Sequence, residues 1–246
     1  MLRAVVIAVA LTFVAAAATP PALADEHHRR PGKPAKQRHL TPEQKRNRAE
    51  AQRVAAAIQS YYRKADHVRA RFDHTIVLAK TASKKVRRGR LAFERPGRVS
   101  VRYDQPKGHR VISDGERVRV YDPDAKTLYV TKIDRSLYPA VVAFLRGDAV
   151  LSRDYRLRVL DLGRAHVKKG RVIEAIPKEP TPVMTRMLLF VGDGRGDRYG
   201  EVERILVVDA QGNHNRFDFH ELKRGKDIPN REFTFRPPRG THVIRP

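Results

Sequence analysis

Residues 89–103 read Gly-Arg-Leu-Ala-Phe-Glu-Arg-Pro-Gly-Arg-Val-Ser-Val-Arg-Tyr, and this stretch decides the fold. Leu91, Phe93 and Arg95 alternate with Arg90, Ala92 and Glu94; Val99, Val101 and Tyr103 alternate with Arg98, Ser100 and Arg102. A period of two with one apolar and one charged face describes antiparallel strands that cover a core on one side and meet water on the other. Upstream, Val68, Ala70, Phe72, Ile76 and Leu78 follow the same pattern. Downstream, Asp114-Gly115 separates two alternating runs and reads as a two-residue hairpin loop. That reading sets Ser113 opposite Glu116 and Val111 opposite Val118.

Further strands are expected at 127–132, 155–160, 171–176, 184–191, 202–209 and 214–219, with a short last one at 232–235. The total is about eleven, most of them joined by short turns. A mainly β fold follows: an antiparallel sheet wide enough to curl into an unclosed barrel. Two segments interrupt the alternation. Thr41-Pro42-Glu43-Gln44 carries an N-cap, a proline at the first helical position and a glutamine three residues after the cap, so a helix is predicted to run from there toward Ala65. Its Val54, Ile58, Tyr61 and Ala65 lie on one stripe. The second is Leu137–Gly147, apolar nearly all round, which reads as a short helix lidding the barrel mouth.

The chain holds 246 residues with 51 Lys+Arg against 27 Asp+Glu, a formal charge of +24. It contains no cysteine, which excludes disulfides, thiolate metal centres, a thiol nucleophile and lipidation on sulfur. It contains no tryptophan either, and only 7% aromatics, a poor basis for stacking nucleic-acid bases. Residues 4–18 are uncharged behind Arg3, and Ala22-Leu23-Ala24 fits a signal-peptidase site. Residues 1–24 are therefore read as a signal peptide cleaved after Ala24, residues 25–40 as a disordered basic linker, and 41–246 as one domain. Export makes anionic lipid, anionic envelope polymer or an acidic protein the natural counterpart of the basic charge, and not nucleic acid.

A catalytic constellation is not found. There is no G-x-S-x-G and no H-E-x-x-H, and His214 and His220 lack ligand context. The glycine-rich run Gly192–Asp197 reads as a hairpin turn, with Arg195 between its acidic positions. Neither enzyme activity, nor a cofactor, nor a metal centre is expected.

Three motifs carry a resemblance: Gly89–Pro96 leading into VSVRYDQP, SDGERVRVYDP at 113–123, and FTFRPPRG at 233–240. In this order, with the apolar segment between the second and third, the chain resembles the LolA family of periplasmic carriers of outer-membrane lipoproteins. The resemblance spans roughly Ala51 to Ile244. It implies an unclosed β-barrel with helices lidding a hydrophobic cavity. It also implies a monomer that takes acylated lipoproteins from an inner-membrane ABC transporter and hands them to an outer-membrane acceptor. The family's lid-latching arginine falls on Arg95, whose guanidinium would bond carbonyls of a lid. The expected cavity lining is Leu91, Phe93, Val99, Val101, Tyr103, Val111, Val118 and Val120, with Val141, Val142, Phe144 and Leu145 on the lid. The chain departs from the family in lacking tryptophan and in carrying His74 where many members have glutamine. A regulatory protein of the same scaffold, of anti-sigma type, or a carrier of another lipid is the alternative reading.

Overall fold

The computed structural model describes residues 40–132, 151–163, 165, 169–179, 184–194 and 196–245. Helix α1 spans Pro42–Arg63, and its start is the expected capping box. The Thr41 hydroxyl accepts from the Gln44 amide at 3.2 Å, and the Thr41 amide donates to the Gln44 side chain at 2.9 Å. These bonds satisfy backbone groups that have no partner within the helix.

Twelve strands follow in one sheet. They are β1 (His67–Val77), β2 (Lys84–Glu94), β3 (Arg98–Gln105), β4 (Lys107–Asp114), β5 (Arg117–Asp122) and β6 (Thr127–Lys132) in the first half. After a one-turn helix α2 (Leu151–Asp154) come β7 (Tyr155–Leu160), β8 (Arg171–Pro177), β9 (Arg186–Val191), β10 (Val202–Val208), β11 (His214–Arg224) and β12 (His242–Ile244). The spatial order is β12-β6-β5-β4-β3-β2-β1-β11-β10-β9-β8-β7. β1 therefore sits near the middle, with β2 on one flank and β11 on the other. β7 and β12 are the two edges, so the sheet is open.

Curling is shown by the core. Phe93 and Val99 on β2 and β3 share one cluster with Ile173, Leu189 and Ile205 from β8–β10, and with Val54, Ile58 and Tyr62 of α1. Strands so far apart in the sheet can meet around one helix only if the sheet wraps it. Close backbone approach at Gly200 seats that helix. A Cβ there would lie 2.3 Å from the Ala57 carbonyl oxygen, and the residue's φ of +99° also suits glycine. At the β7 edge, the Asn47 amide exchanges two hydrogen bonds with the Val159 backbone, at 2.9 and 3.0 Å. A side chain of α1 thus occupies part of the exposed strand edge.

Two expectations are corrected. The β4–β5 hairpin pairs Ser113 with Val118 and Val111 with Val120, not with Glu116 and Val118. The cause is Asp114, whose carboxylate accepts from the amides of Glu116 (3.0 Å) and Arg117 (2.7 Å) and draws both into the turn. The slip is two residues, so Val111, Val118 and Val120 keep the same face. The second correction concerns 232–235. Instead of a strand there is a 3-10 turn at Asn230–Phe233, and the last strand is β12, which pairs in parallel with β6. The FTFRPPRG motif begins in this turn and straps the outer face of β3–β5. Glu232 accepts from Ser100 (3.0 Å), Arg110 donates to the Glu232 carbonyl (3.2 Å), and Phe235 packs on Tyr121.

The remaining outer face is a ladder of arginines with acidic partners. Arg90 grips Asp104 through two bonds of 3.1 and 2.8 Å, Arg88 lies 3.3 Å from Asp73, and Arg204 and Arg216 share Asp218. Among the described residues, no helix is long and apolar enough to cross a membrane.

Candidate functional site

The concave face is built by register. Ala70 pairs with Leu91, Leu91 with Val101, Val101 with Val111, Val111 with Val120, and Val120 with Tyr129. Paired residues point to the same side of a sheet, so these six form one apolar row across β1–β6. Five strand spacings make that row about 24 Å long. The adjoining row holds Val68, Phe93, Val99, Ser113 and Val118 in the same way. Seven of the eight residues expected to line a cavity lie in these two rows, and Tyr103, paired with Gly89 on the same face, lies beyond them.

They are not equally accessible. Phe93 and Val99 are buried with α1 in the main cluster, and Val118 and Val120 are buried in a smaller one. Leu91, Val101, Val111 and Tyr129 are only half-buried and fringe those clusters. The row beyond α1 thus combines buried Val120 with half-buried Leu91, Val101, Val111 and Tyr129. Tyr103 belongs elsewhere. Its ring packs edge-on against Phe72 (5.3 Å) and its hydroxyl lies 3.0 Å from His74 Nδ1. It closes an aromatic cluster in which His74 stacks on Phe217 at 4.0 Å. Gly89 makes room for that cluster, since a Cβ there would sit 2.7 Å from the Phe72 ring.

Arg95 follows directly on β2. Its Nη2 donates to the Tyr62 carbonyl at 3.2 Å and its Nε to the Ala65 carbonyl at 3.4 Å. Arg224 approaches from the other flank, donating to the Tyr61 carbonyl at 3.4 Å with its guanidinium 4.0 Å from the Tyr61 ring. Two cations thus serve the carbonyl end of α1, where the helix dipole is negative. The Tyr61 hydroxyl donates to Glu201 at 2.8 Å, and burial followed by that bond pushes its pKa up. Arg95 does find backbone carbonyls, as its chemistry requires, and among the described residues they are Tyr62 in the last turn of α1 and Ala65 just beyond it. Segment 137–147, with Val141, Val142, Phe144 and Leu145, lies outside the described residues, as do the leader and the linker before residue 40.

A groove of about 630 Å³ lies on the other half of the sheet, between β9, β10 and β11. Arg198, Glu201, Glu203, Arg204 and Asp218 make it polar, and only Phe219 and Leu222 connect it with the apolar face. It is a poor match for an acyl chain.

Sequence reasoning missed the polar end of the concave face. His74 is buried, and its desolvation holds the imidazole pKa at about 4. His109, also buried, faces Asp122 and Asp124. A histidine at an alternating strand position was the available signal in both cases, but its partners come from other strands.

An open antiparallel sheet thus wraps one helix and keeps a partly buried apolar row on its inner face. The family profile described as outer membrane lipoprotein carrier protein LolA matches residues 63–236, and the chain belongs to that family. An outer-membrane lipoprotein carrier protein of Methylibium petroleiphilum is 32% identical over 177 residues, 72% of this chain and 81% of the relative. One from Nitrosospira multiformis is 29% identical over 197 residues, 76% of this chain and 86% of the relative. Among solved structures, a LolA superfamily protein from Nitrosomonas europaea shares 15% identity, covering 75% of this chain and 97% of that one with a TM-score of 0.41. MucB shares 14%, covering 76% of this chain and 63% of its own with a TM-score of 0.45.

Proposed function

We propose that this protein is a periplasmic carrier that lays the acyl chains of lipoproteins along the concave row and ferries them from an inner-membrane ABC transporter to an outer-membrane acceptor. The observation that carries this reading is the row Leu91–Val101–Val111–Val120–Tyr129, continuous across five strands and only partly covered. Family membership and the names of the relatives agree with it.

The physical chemistry is simple. Each methylene moved from water to such a surface contributes about 0.8 kcal/mol, so a carrier needs no cofactor to hold an acyl chain. Release is the harder step. A protein segment that covers the same row when cargo leaves would lower the barrier by replacing one apolar contact with another, and segment 137–147 has the composition for it. Arg95 couples the two states. It fixes the carbonyl end of α1 against β2, and a bound chain that displaces α1 must first break those bonds. Signal-peptide removal and action as a monomer in the periplasm complete the reading.

The test is displacement of a fluorescent fatty-acid analogue by a purified triacylated lipopeptide. Competitive binding weakened at least tenfold by Leu91→Ser or Val101→Ser supports the reading. Binding unchanged in both variants refutes the concave row as the site.

A further inference from the structure

The row next to the apolar one turns polar toward the β5–β6 turn, and its last members have unsatisfied chemistry. His109 on β4 is 1% exposed. Neither of its ring nitrogens has a hydrogen-bond partner, although a neutral imidazole carries one donor and one acceptor. Instead the ring stands between two carboxylates. Nδ1 lies 3.8 Å from Asp122 Oδ1, and Nε2 lies 3.5 Å from Asp124 Oδ2. Both distances are too long for hydrogen bonds, and a cation bound here would take one of the two ring nitrogens and one oxygen from each carboxylate. One ligand atom from each of the three residues falls within 4.8 Å of the others.

We infer that His109, Asp122 and Asp124 form a divalent-metal site for zinc or a similar borderline cation. The set of one imidazole nitrogen and two carboxylate oxygens excludes a preference for magnesium or calcium, which favour oxygen-only cages. Three protein ligands would leave one tetrahedral position for a water or another ligand. Two carboxylates neutralise the ion. Arg87 opposes the cation, and the two aspartates outweigh it in number. The turn is already shaped for the task. Asp122 Oδ1 accepts from the amides of Asp124 (2.9 Å) and Ala125 (3.3 Å), which holds the two carboxylates at the same end of β5.

Bound metal would clamp the β5–β6 turn onto β4 at the polar end of the cargo face. The sequence reading expected no metal and did not single out these residues: His109 lies 13 and 15 positions before Asp122 and Asp124, and the β4–β5 pairing brings them together.

The experiment uses the exported chain without its leader and Zn²⁺ as the probe. Zinc affinity is measured by competition with a chromophoric chelator, alongside the melting temperature with and without the ion. One equivalent of zinc is expected, with a rise in melting temperature. Asp124→Asn, at an exposed position that leaves the core untouched, should weaken binding at least tenfold and abolish the rise, and His109→Gln should do the same. A variant with His27 and His28 both changed to alanine should bind as the parent does. Absence of stoichiometric zinc, or zinc that persists in Asp124→Asn and disappears with His27 and His28, would overturn the inference.

Discussion

Arg95 and Tyr62 meet where β2 ends and α1 ends, guanidinium to carbonyl at 3.2 Å, with Ala65 accepting a second bond at 3.4 Å. A charged fork thus grips the Tyr62 carbonyl in the last turn and the Ala65 carbonyl just past the helix, at the negative end of its dipole. Arg95→Leu should destabilise the protein by about 1–3 kcal/mol, as loss of charge-assisted bonds does. Amide exchange in the last turn of α1 should quicken more than exchange in the β8–β10 core. Arg95→Lys should recover part of the stability through the helix dipole, since a single ammonium keeps the charge but not the two-point grip. Chemical denaturation and hydrogen exchange on the three proteins check this. Equal stability of Arg95→Leu and the parent would remove the tether.

His74 gives the fold an acid limit. Its pKa is held near 4 by burial, whereas in the unfolded chain it is near 6.5. The unfolded state therefore takes up a proton first as pH falls. The stability of the neutral, buried ring is fully present above about pH 6.5 and is lost progressively between 6.5 and 4, amounting to about 3 kcal/mol by pH 4. His74→Gln keeps a group able to bond Tyr103 and does not titrate. Unfolding free energy measured at pH 7, 6, 5 and 4 should fall less steeply in that variant. Parallel curves would show that another group sets the acid limit.

Gly89 is where β2 yields to its neighbours. A Cβ there would lie 2.3 Å from the Arg102 carbonyl oxygen and 2.7 Å from the Phe72 ring. Gly89→Ala should cost about 1–3 kcal/mol by overpacking, read as a lower midpoint in urea. Loss of the near-ultraviolet signal of the Phe72–Tyr103–Phe217 cluster should accompany it.

The sequence made the alternating face legible because period two needs no knowledge of partners. Leu91, Phe93, Val99 and Val101 could be assigned to one side from their spacing alone, and α1 from its capping box. What stayed hidden depends on contacts between distant segments. The β4–β5 register turned on the Asp114 carboxylate, which draws two further residues into the turn. The strand expected at 232–235 failed because Glu232 and Phe235 find their partners, Ser100, Arg110 and Tyr121, on the outer face of the sheet. Arg95 was readable as a cation facing carbonyls, but not that the end of α1 would supply them. Tyr103 was assigned to the lining by parity, and the burial that withdraws it comes from Phe72 and His74 on β1.

Leu91 and Phe93 separate binding from folding. Phe93 is fully buried beneath α1, so Phe93→Ala should lose about 3–5 kcal/mol of stability. Leu91 is half-buried in the apolar row, and Leu91→Ser should lose less stability while weakening fatty-acid binding at least tenfold. Calorimetry paired with probe titration distinguishes the two. The same ratio of binding loss to stability loss in both variants would mean that the row is ordinary core.

The most direct measurement is mass spectrometry of the protein purified gently from a native periplasm and then denatured to free whatever it holds. Acylated lipoproteins in the extract, depleted in Leu91→Ser, are the expected result. An empty protein, or one that holds a single unacylated polypeptide, would contradict the carrier reading and favour a regulator.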